Sequence, residues 1–178
     1  MIIYRTGYGE DSHAFNKIET SEDKVIKLVG VKIDSKWPFL ANSDGDVVLH
    51  AFCRAIQSLT GKEILGQLAD DLVLNGTKDS SYFTKLALQS LKAANSNLKN
   101  LLITQVSIQI EAKTPKLSPY FLSMRQNLQQ LIEQEMAQKL SLEQIGISAM
   151  TGEGLTAYGQ GLGVQVKVLV TVQSELEA

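Results

Sequence analysis

Alternation of apolar and polar residues predicts five β-strands. The clearest case runs from Val164 to Val172, where valine stands at every second position, the period of a strand with one buried face. The first strand is taken to end in Gly7-Tyr8-Gly9. We predict strands at 2–9, 25–33, 101–110, 145–150 and 164–172.

Apolar residues at helical spacing predict the helices that lie between these strands. Capping residues mark their starts, with Asp44 before the first long helix, Asp79 before the second and Ser118-Pro119 before the third. We predict helices from about 44 to 58, 61 to 69, 79 to 95 and 118 to 139. The order of elements predicts an α/β fold for residues 1–178, a single-domain two-layer sandwich of a mixed β-sheet with helices on one face.

Composition narrows the function without defining it. Of 178 residues 44% are hydrophobic and 20% charged, and the formal net charge is -2, so no basic surface for nucleic acid is expected. There is one cysteine, Cys53, and no apolar run approaches the ~20 residues of a membrane helix. We expect a soluble, cytoplasmic protein with no nucleic-acid partner and no membrane partner.

Three residues form a candidate site for a divalent metal. Asp11 and His13 are two apart, so an extended backbone points both side chains the same way, and His50 in the first helix can add a third ligand. Two histidines and a carboxylate suit a catalytic zinc or a related ion. The alternative that these residues bind no metal stays open, because an Asp-x-His tripeptide is common and a helical histidine is often a core residue. Cys53 is a conceivable fourth ligand, although buried structural cysteine is the commoner case.

Three loops can bind phosphate, and each has an ordinary structural alternative. Ser43 to Asp46 offers a helix N-terminus with free amides, but its two carboxylates also serve as caps. Pro115 to Pro119 places Lys116 beside another helix start, as a plain connecting loop also does. Met150 to Gly154 combines a hydroxyl, a carboxylate and two glycines, which equally describes a turn.

Four segments, in this order and spacing, resemble the 2-C-methyl-D-erythritol 2,4-cyclodiphosphate synthase family. The resemblance covers nearly the whole chain. It is carried by R-T-G-Y-G-E-D-S-H-A-F from Arg5, A-N-S-D-G-D-V-V-L-H-A from Ala41, A-K-T-P-K-L-S-P from Ala112 and A-M-T-G-E-G-L from Ala149.

The resemblance implies a metal-dependent enzyme of the non-mevalonate isoprenoid pathway, a phosphorus–oxygen lyase. It cyclises 4-diphosphocytidyl-2-C-methyl-D-erythritol 2-phosphate and releases CMP. Its members are homotrimers with active sites between subunits. The implied cofactors are Zn²⁺ (or Mn²⁺ or Co²⁺) on Asp11, His13 and His50, and Mg²⁺ or Mn²⁺ on Glu153 together with the substrate phosphates.

The family motifs also assign residues to the substrate. Catalytic contacts to phosphate fall on Asn42 and Thr151. Substrate-binding positions are Ser12, Ser43, Ile64, Leu65, Gly66, Asp70 and Asp71. Cytidine-binding positions are Ala112, Pro115, Lys116, Leu117, Ala149 and Met150.

The chain departs from the family pattern at four places. Asn42 replaces a histidine, and Met150 and Gly152 replace two threonines of the diphosphate loop. The 64–71 segment lacks a leading carboxylate and an aromatic residue, and Gln160 replaces an arginine of the trimer axis. Two alternatives therefore remain: another divalent-metal phosphohydrolase or phosphotransferase, and a non-catalytic nucleotide-binding trimer.

Overall fold

The structure, a computed structural model, describes residues 1–18, 24–94 and 98–176, without the side chains of residues 68, 70, 98, 99 and 176. Its strands are β1 (Ile2–Ala14), β2 (Val25–Leu28), β3 (Val31–Asp34), β4 (Leu98–Glu111), β5 (Ile145–Met150) and β6 (Gly163–Leu176). Its helices are α1 (Val47–Thr60), α2 (Gln67–Leu74), α3 (Ser80–Ala94) and α4 (Phe121–Met136). Short 3-10 turns cover Ser118–Tyr120, Leu142–Gln144 and Gly152–Gly154.

The fold is built on a four-stranded mixed sheet with the strand order β1-β6-β4-β5. β6 runs antiparallel to β1 and β4, and β4 and β5 are parallel. Val164, Val166 and Val168 of β6 are fully buried, whereas Leu169 on the opposite face is 45% exposed. The helices thus cover one face, as the alternation predicts. No helix among the described residues is long and apolar enough to cross a membrane.

The first strand is longer than predicted, and its glycines explain why. β1 pairs with β6 from Ile2 to Ala14, so Asp11 and His13 lie within the strand and not after it. Gly7 and Gly9 are packing positions: a Cβ atom would lie 2.1 Å from the Ala55 carbonyl oxygen at Gly7, and 2.3 Å from that of Ala51 at Gly9. Glycine here lets α1 approach the strand closely, where the sequence suggested only the end of the strand.

Other predicted boundaries also change. The predicted strand 25–33 is a hairpin, because Val29 and Gly30 adopt φ of 52° and 73° and reverse the chain. The predicted helical segment 61–69 was misplaced, since the helix begins only at Gln67. The first long helix begins at Val47 with Asp46 as its N-cap. The helix predicted for 118–139 is a 3-10 turn followed by α4.

Candidate active site

β1 and α1 bring Asp11, His13 and His50 together. Asp11 and His13 share the face of β1 that α1 covers, and His50 lies in the first turn of α1. His50 Nδ1 lies 3.2 Å from Asp11 Oδ2 and 3.3 Å from His13 Nε2. The third side of this triangle, from His13 Nε2 to Asp11 Oδ2, is 3.9 Å.

These three atoms fit a tetrahedral metal ion. Metal–ligand bonds of about 2.0–2.1 Å place the ligand atoms of such an ion about 3.4 Å apart. The observed separations lie close to that value. Among the described residues, no other group of three His, Cys, Asp or Glu side chains brings its ligand atoms within 4.8 Å of one another. Three protein ligands leave one position for a substrate oxygen, as catalytic sites require.

Local electrostatics favours the metal-binding forms of Asp11 and His13. Burial alone would raise the pKa of Asp11, but the hydrogen bond to His50 and the charges of His50, His13 and Arg54 outweigh it and lower the pKa. Burial lowers the pKa of His13, which favours the neutral imidazole that binds a metal ion. Arg54, whose Nε lies 3.5 Å from Asp11 Oδ1, was not among the site residues predicted from the sequence. Its spacing of four residues from His50 on one helix was the available signal.

A series of hydrogen-bonded polar side chains lies behind the His50 ring, on the side away from Asp11 and His13. His50 Nε2 lies 3.0 Å from Ser80 Oγ, and the Ser80 hydroxyl also bonds to Asp44 Oδ1. Asp44 Oδ2 in turn accepts a hydrogen bond from Lys27 Nζ at 2.7 Å. From the sequence, Asp44 was expected to cap a helix, and Ser80 to lie at the start of the second long helix.

A cavity of about 350 Å³ opens onto the three candidate ligands. Asn42, Ser43, Leu65 and Gly66 line it together with Arg54. Four residues predicted to contact phosphate or substrate therefore lie beside the candidate metal centre. Asn42 is exposed and Ser43 half-buried, so both polar side chains lie at the accessible side of the cavity.

Other predicted substrate residues are not part of this cavity in the single chain. Ile64 is 2% exposed and belongs to the hydrophobic core. Ser12 lies between Asp11 and His13 on β1, so its side chain points to the opposite face. Asp71 accepts a hydrogen bond from Gln67 within α2. The side chain of Asp70 lies outside the described part of the chain.

The predicted cytidine-binding residues line a second cavity, of about 370 Å³. It lies between the ends of β4 and β5 and the start of α4. Its lining includes all six of them, namely Ala112, Pro115, Lys116, Leu117, Ala149 and Met150, together with Thr151.

The diphosphate loop adjoins this second cavity. Thr151 and Glu153 line a neighbouring cavity of about 310 Å³ with Glu111. The Glu153 carboxylate is exposed and suits Mg²⁺, which is commonly held by one or two carboxylates plus substrate phosphates. Glu111 is buried and accepts a hydrogen bond from Thr156. Its Oε1 occupies the space beside Gly152, where a Cβ atom would lie 2.1 Å away.

The two candidate cavities lie at the same end of the sheet but at opposite edges. Strand register places Asp11 beside Val166, Val166 beside Ile110, and Ile110 beside Ala149. Three strand spacings of ~4.8 Å separate Asp11 from Ala149, about 14 Å. Val166 and Ile110 between them are fully buried, and the two cavities share no lining residue.

Cys53 does not join the candidate metal centre. It is fully buried in the core, and burial raises the pKa of its thiol to about 12. Its sulfur lies 3.8 Å from Thr84 Oγ1. The structural role expected for this cysteine is confirmed.

Comparison with known proteins decides the family. The sequence profile of the YgbB family matches residues 4–173. The chain belongs to the YgbB family. A Chlamydia felis member named 2-C-methyl-D-erythritol 2,4-cyclodiphosphate synthase is 42% identical over 171 residues, 96% of this chain and 89% of that protein. A Chlamydia muridarum protein of the same name is 40% identical over 171 residues, 96% of this chain and 88% of that protein.

The solved structure of a protein with the same name has the same fold as this chain. A 2C-methyl-D-erythritol-2,4-cyclodiphosphate synthase in a CDP-bound form gives a TM-score of 0.75 at 30% identity, covering 94% of this chain and 99% of that chain. The resemblance inferred from the four sequence segments is thereby confirmed at the level of the family.

Proposed function

We propose that this YgbB-family chain is an enzyme, a phosphorus–oxygen lyase of the non-mevalonate isoprenoid pathway. It converts 4-diphosphocytidyl-2-C-methyl-D-erythritol 2-phosphate to 2-C-methyl-D-erythritol 2,4-cyclodiphosphate and CMP. The observation that carries the proposal is the convergence of Asp11, His13 and His50 on one cavity, with the candidate cytidine residues gathered in another at the same end of the sheet.

Four side chains are proposed to hold the metal ions. Asp11, His13 and His50 would hold Zn²⁺ (or Mn²⁺ or Co²⁺), and Glu153 would hold Mg²⁺ or Mn²⁺ with the substrate phosphates. Bound there, the ions supply charge neutralisation and polarise the phosphorus under attack. Arg54 beside Asp11 adds a fixed positive charge at the rim of the same cavity.

The reaction needs no protein base. An oxygen of the substrate's own 2-phosphate, already anionic, forms the new bond to the β-phosphorus. The bond from that phosphorus to the oxygen shared with the α-phosphate breaks, and CMP leaves with the electron pair. The protein's task is alignment of two mutually repelling groups, which is positioning and electrostatics. Asn42 and Ser43 would donate hydrogen bonds to phosphate on one side, and Thr151 and Lys116 on the other.

We further propose a homotrimer in which each active site joins two chains. One chain supplies the metal ligands and the 64–71 segment, and its neighbour supplies the cytidine cavity and Glu153. The separation of the two cavities at opposite sheet edges supports this arrangement. So does the uncovered sheet face, where Tyr4, Tyr8 and Leu169 are 60%, 48% and 45% exposed, a surface that suits burial between subunits.

Turnover with the cytidylyl substrate and Mg²⁺ tests the function. We expect CMP and cyclic diphosphate in equal amounts by ³¹P NMR, with both lost after chelation and restored by added Zn²⁺ and Mg²⁺. CMP with a non-cyclic phosphate product would instead indicate a phosphohydrolase. Absence of both products would contradict the proposal and favour a non-catalytic nucleotide-binding protein.

A further inference from the structure

We infer that Ser80 and Asp44 are positioning residues that fix which ring nitrogen of His50 is offered to the metal. The inference rests on the metal site of the proposed function and adds to it two residues that lie outside the candidate ligand set. They act through His50 and lie behind its ring, on the side away from Asp11 and His13.

Hydrogen-bond chemistry gives the Ser80 hydroxyl a direction. An ionised carboxylate only accepts hydrogen bonds, so the Ser80 O–H donates to Asp44 Oδ1. Asp44 Oδ2 accepts a hydrogen bond from Lys27 Nζ at 2.7 Å. The Ser80 backbone N–H, 3.2 Å from the same oxygen, donates a further bond.

The direction of the Ser80 hydroxyl sets the tautomer of His50 when a metal ion is bound. With its only hydrogen committed to Asp44, Ser80 Oγ can only accept from His50 Nε2, which lies 3.0 Å away. Without a metal ion, His50 Nδ1 donates to the Asp11 carboxylate, 3.2 Å away. An ion held by Asp11 and His13 would displace that Nδ1 proton, and the ring, with its remaining proton on Nε2, would then present the lone pair of Nδ1 to the ion.

The surroundings make this arrangement rigid. Ser80 is fully buried, and Asp44 is about five-sixths buried. The hydrogen-bonded side chains come from three places in the fold: β2, the loop before α1 and the start of α3. Their geometry therefore depends on tertiary packing. Partners of this kind on the non-ligating nitrogen of a histidine typically change metal affinity by about 10–100-fold.

Zinc affinity of the full-length protein tests the inference, measured by competition with a chromophoric chelator. Ser80→Ala should weaken Zn²⁺ binding by about 10–100-fold, and Asp44→Asn should weaken it by less, because an acceptor oxygen remains. Ser90→Ala is the matched control. Ser90 is a buried serine of the same helix, and its hydroxyl bonds to the Ala87 carbonyl far from His50. The control should bind Zn²⁺ as the unmodified protein does.

A tautomer measurement separates positioning from general loss of structure. The chain has only two histidines, so ¹⁵N-histidine NMR of the Zn²⁺-loaded protein gives a spectrum that His13→Ala assigns. We expect His50 to carry its proton on Nε2 and His13 on Nδ1. The His50 Nε2 proton should exchange with water faster in Ser80→Ala than in Ser90→Ala.

The outcomes also distinguish this inference from the proposed function. Zinc affinity of Ser80→Ala within about twofold of the unmodified protein, or a proton on Nδ1 of zinc-bound His50, overturns the positioning role alone. Failure of the unmodified protein to bind Zn²⁺ through Asp11, His13 and His50 overturns the metal site and this inference together.

Discussion

His50 Nδ1 and Asp11 Oδ2 lie 3.2 Å apart although the two residues are 39 positions apart in the sequence. The contact exists because α1 packs directly on β1, with Gly7 and Gly9 at the crossing. The geometry of the candidate metal centre is therefore a consequence of one strand–helix contact. This relationship connects the packing of the fold to the chemistry of the site.

Substitution of a candidate ligand should abolish turnover while leaving the fold intact. His13→Ala removes one of three ligand atoms, and we expect kcat to fall by about 1,000-fold or more, the loss of several kcal/mol of metal-derived stabilisation. The melting temperature of the metal-free variant should match that of the metal-free unmodified protein. A large loss of stability in the metal-free state would indicate a structural role for His13.

The close approach of α1 to β1 can be tested with a single methyl group. Gly9→Ala would place its Cβ 2.3 Å from the Ala51 oxygen and the Ala55 nitrogen, and overpacking of this kind costs about 1–3 kcal/mol. Urea unfolding measures the loss. Gly146→Ala is the control, since the nearest atom to its Cβ would be 3.9 Å away. Equal stability of the two variants would contradict the packing role of Gly9.

The cap of α1 predicts a pH dependence of stability. Burial raises the pKa of Asp46 to about 6, although the backbone N–H groups of Gly30, Val29 and Leu49 oppose it. The folded protein thus holds this proton more tightly than the unfolded chain, whose pKa is near 3.9. The contribution is fully present below about pH 4 and is lost as pH rises through 6.

The Asp46→Asn variant isolates this effect, because other titrating groups cancel in the comparison. From pH 4 to 7 the free energy of unfolding of the unmodified protein should decrease relative to the variant by up to about 3 kcal/mol. Urea denaturation at several pH values measures the difference. A difference that is constant across this range would contradict the raised pKa.

The uncovered sheet face predicts that a substitution far from the candidate metal ligands will reduce assembly and activity. Leu169→Glu places a charge on the open face beside Tyr8, its partner in the strand register. We expect the trimer to weaken and activity to fall in parallel, because burial of an unpaired charge costs several kcal/mol. Light scattering after size-exclusion chromatography reports the mass. An active monomer would contradict the proposed assembly.

The sequence was sufficient for the candidate ligands and for much of the fold. Asp11 and His13 follow from strand alternation, and the valine pattern of β6 predicts its buried face. The roles of Gly7, Arg54 and Ser80 depend on which helix packs on which strand. Local patterns do not contain that information, so the glycines that accommodate α1 resembled the end of a strand, and the buried hydroxyl of Ser80 resembled a helix cap.

Subunit mixing tests the proposal that each active site takes its metal ligands from one chain and its cytidine cavity from another. His13→Ala removes a ligand, and Ala149→Trp fills the second cavity, so each variant alone should be inactive. Co-expression should restore about one quarter of the unmodified activity, the share of sites in a random cyclic trimer that combine both intact halves. No recovery in verified mixed trimers would contradict the account and place both halves in one chain.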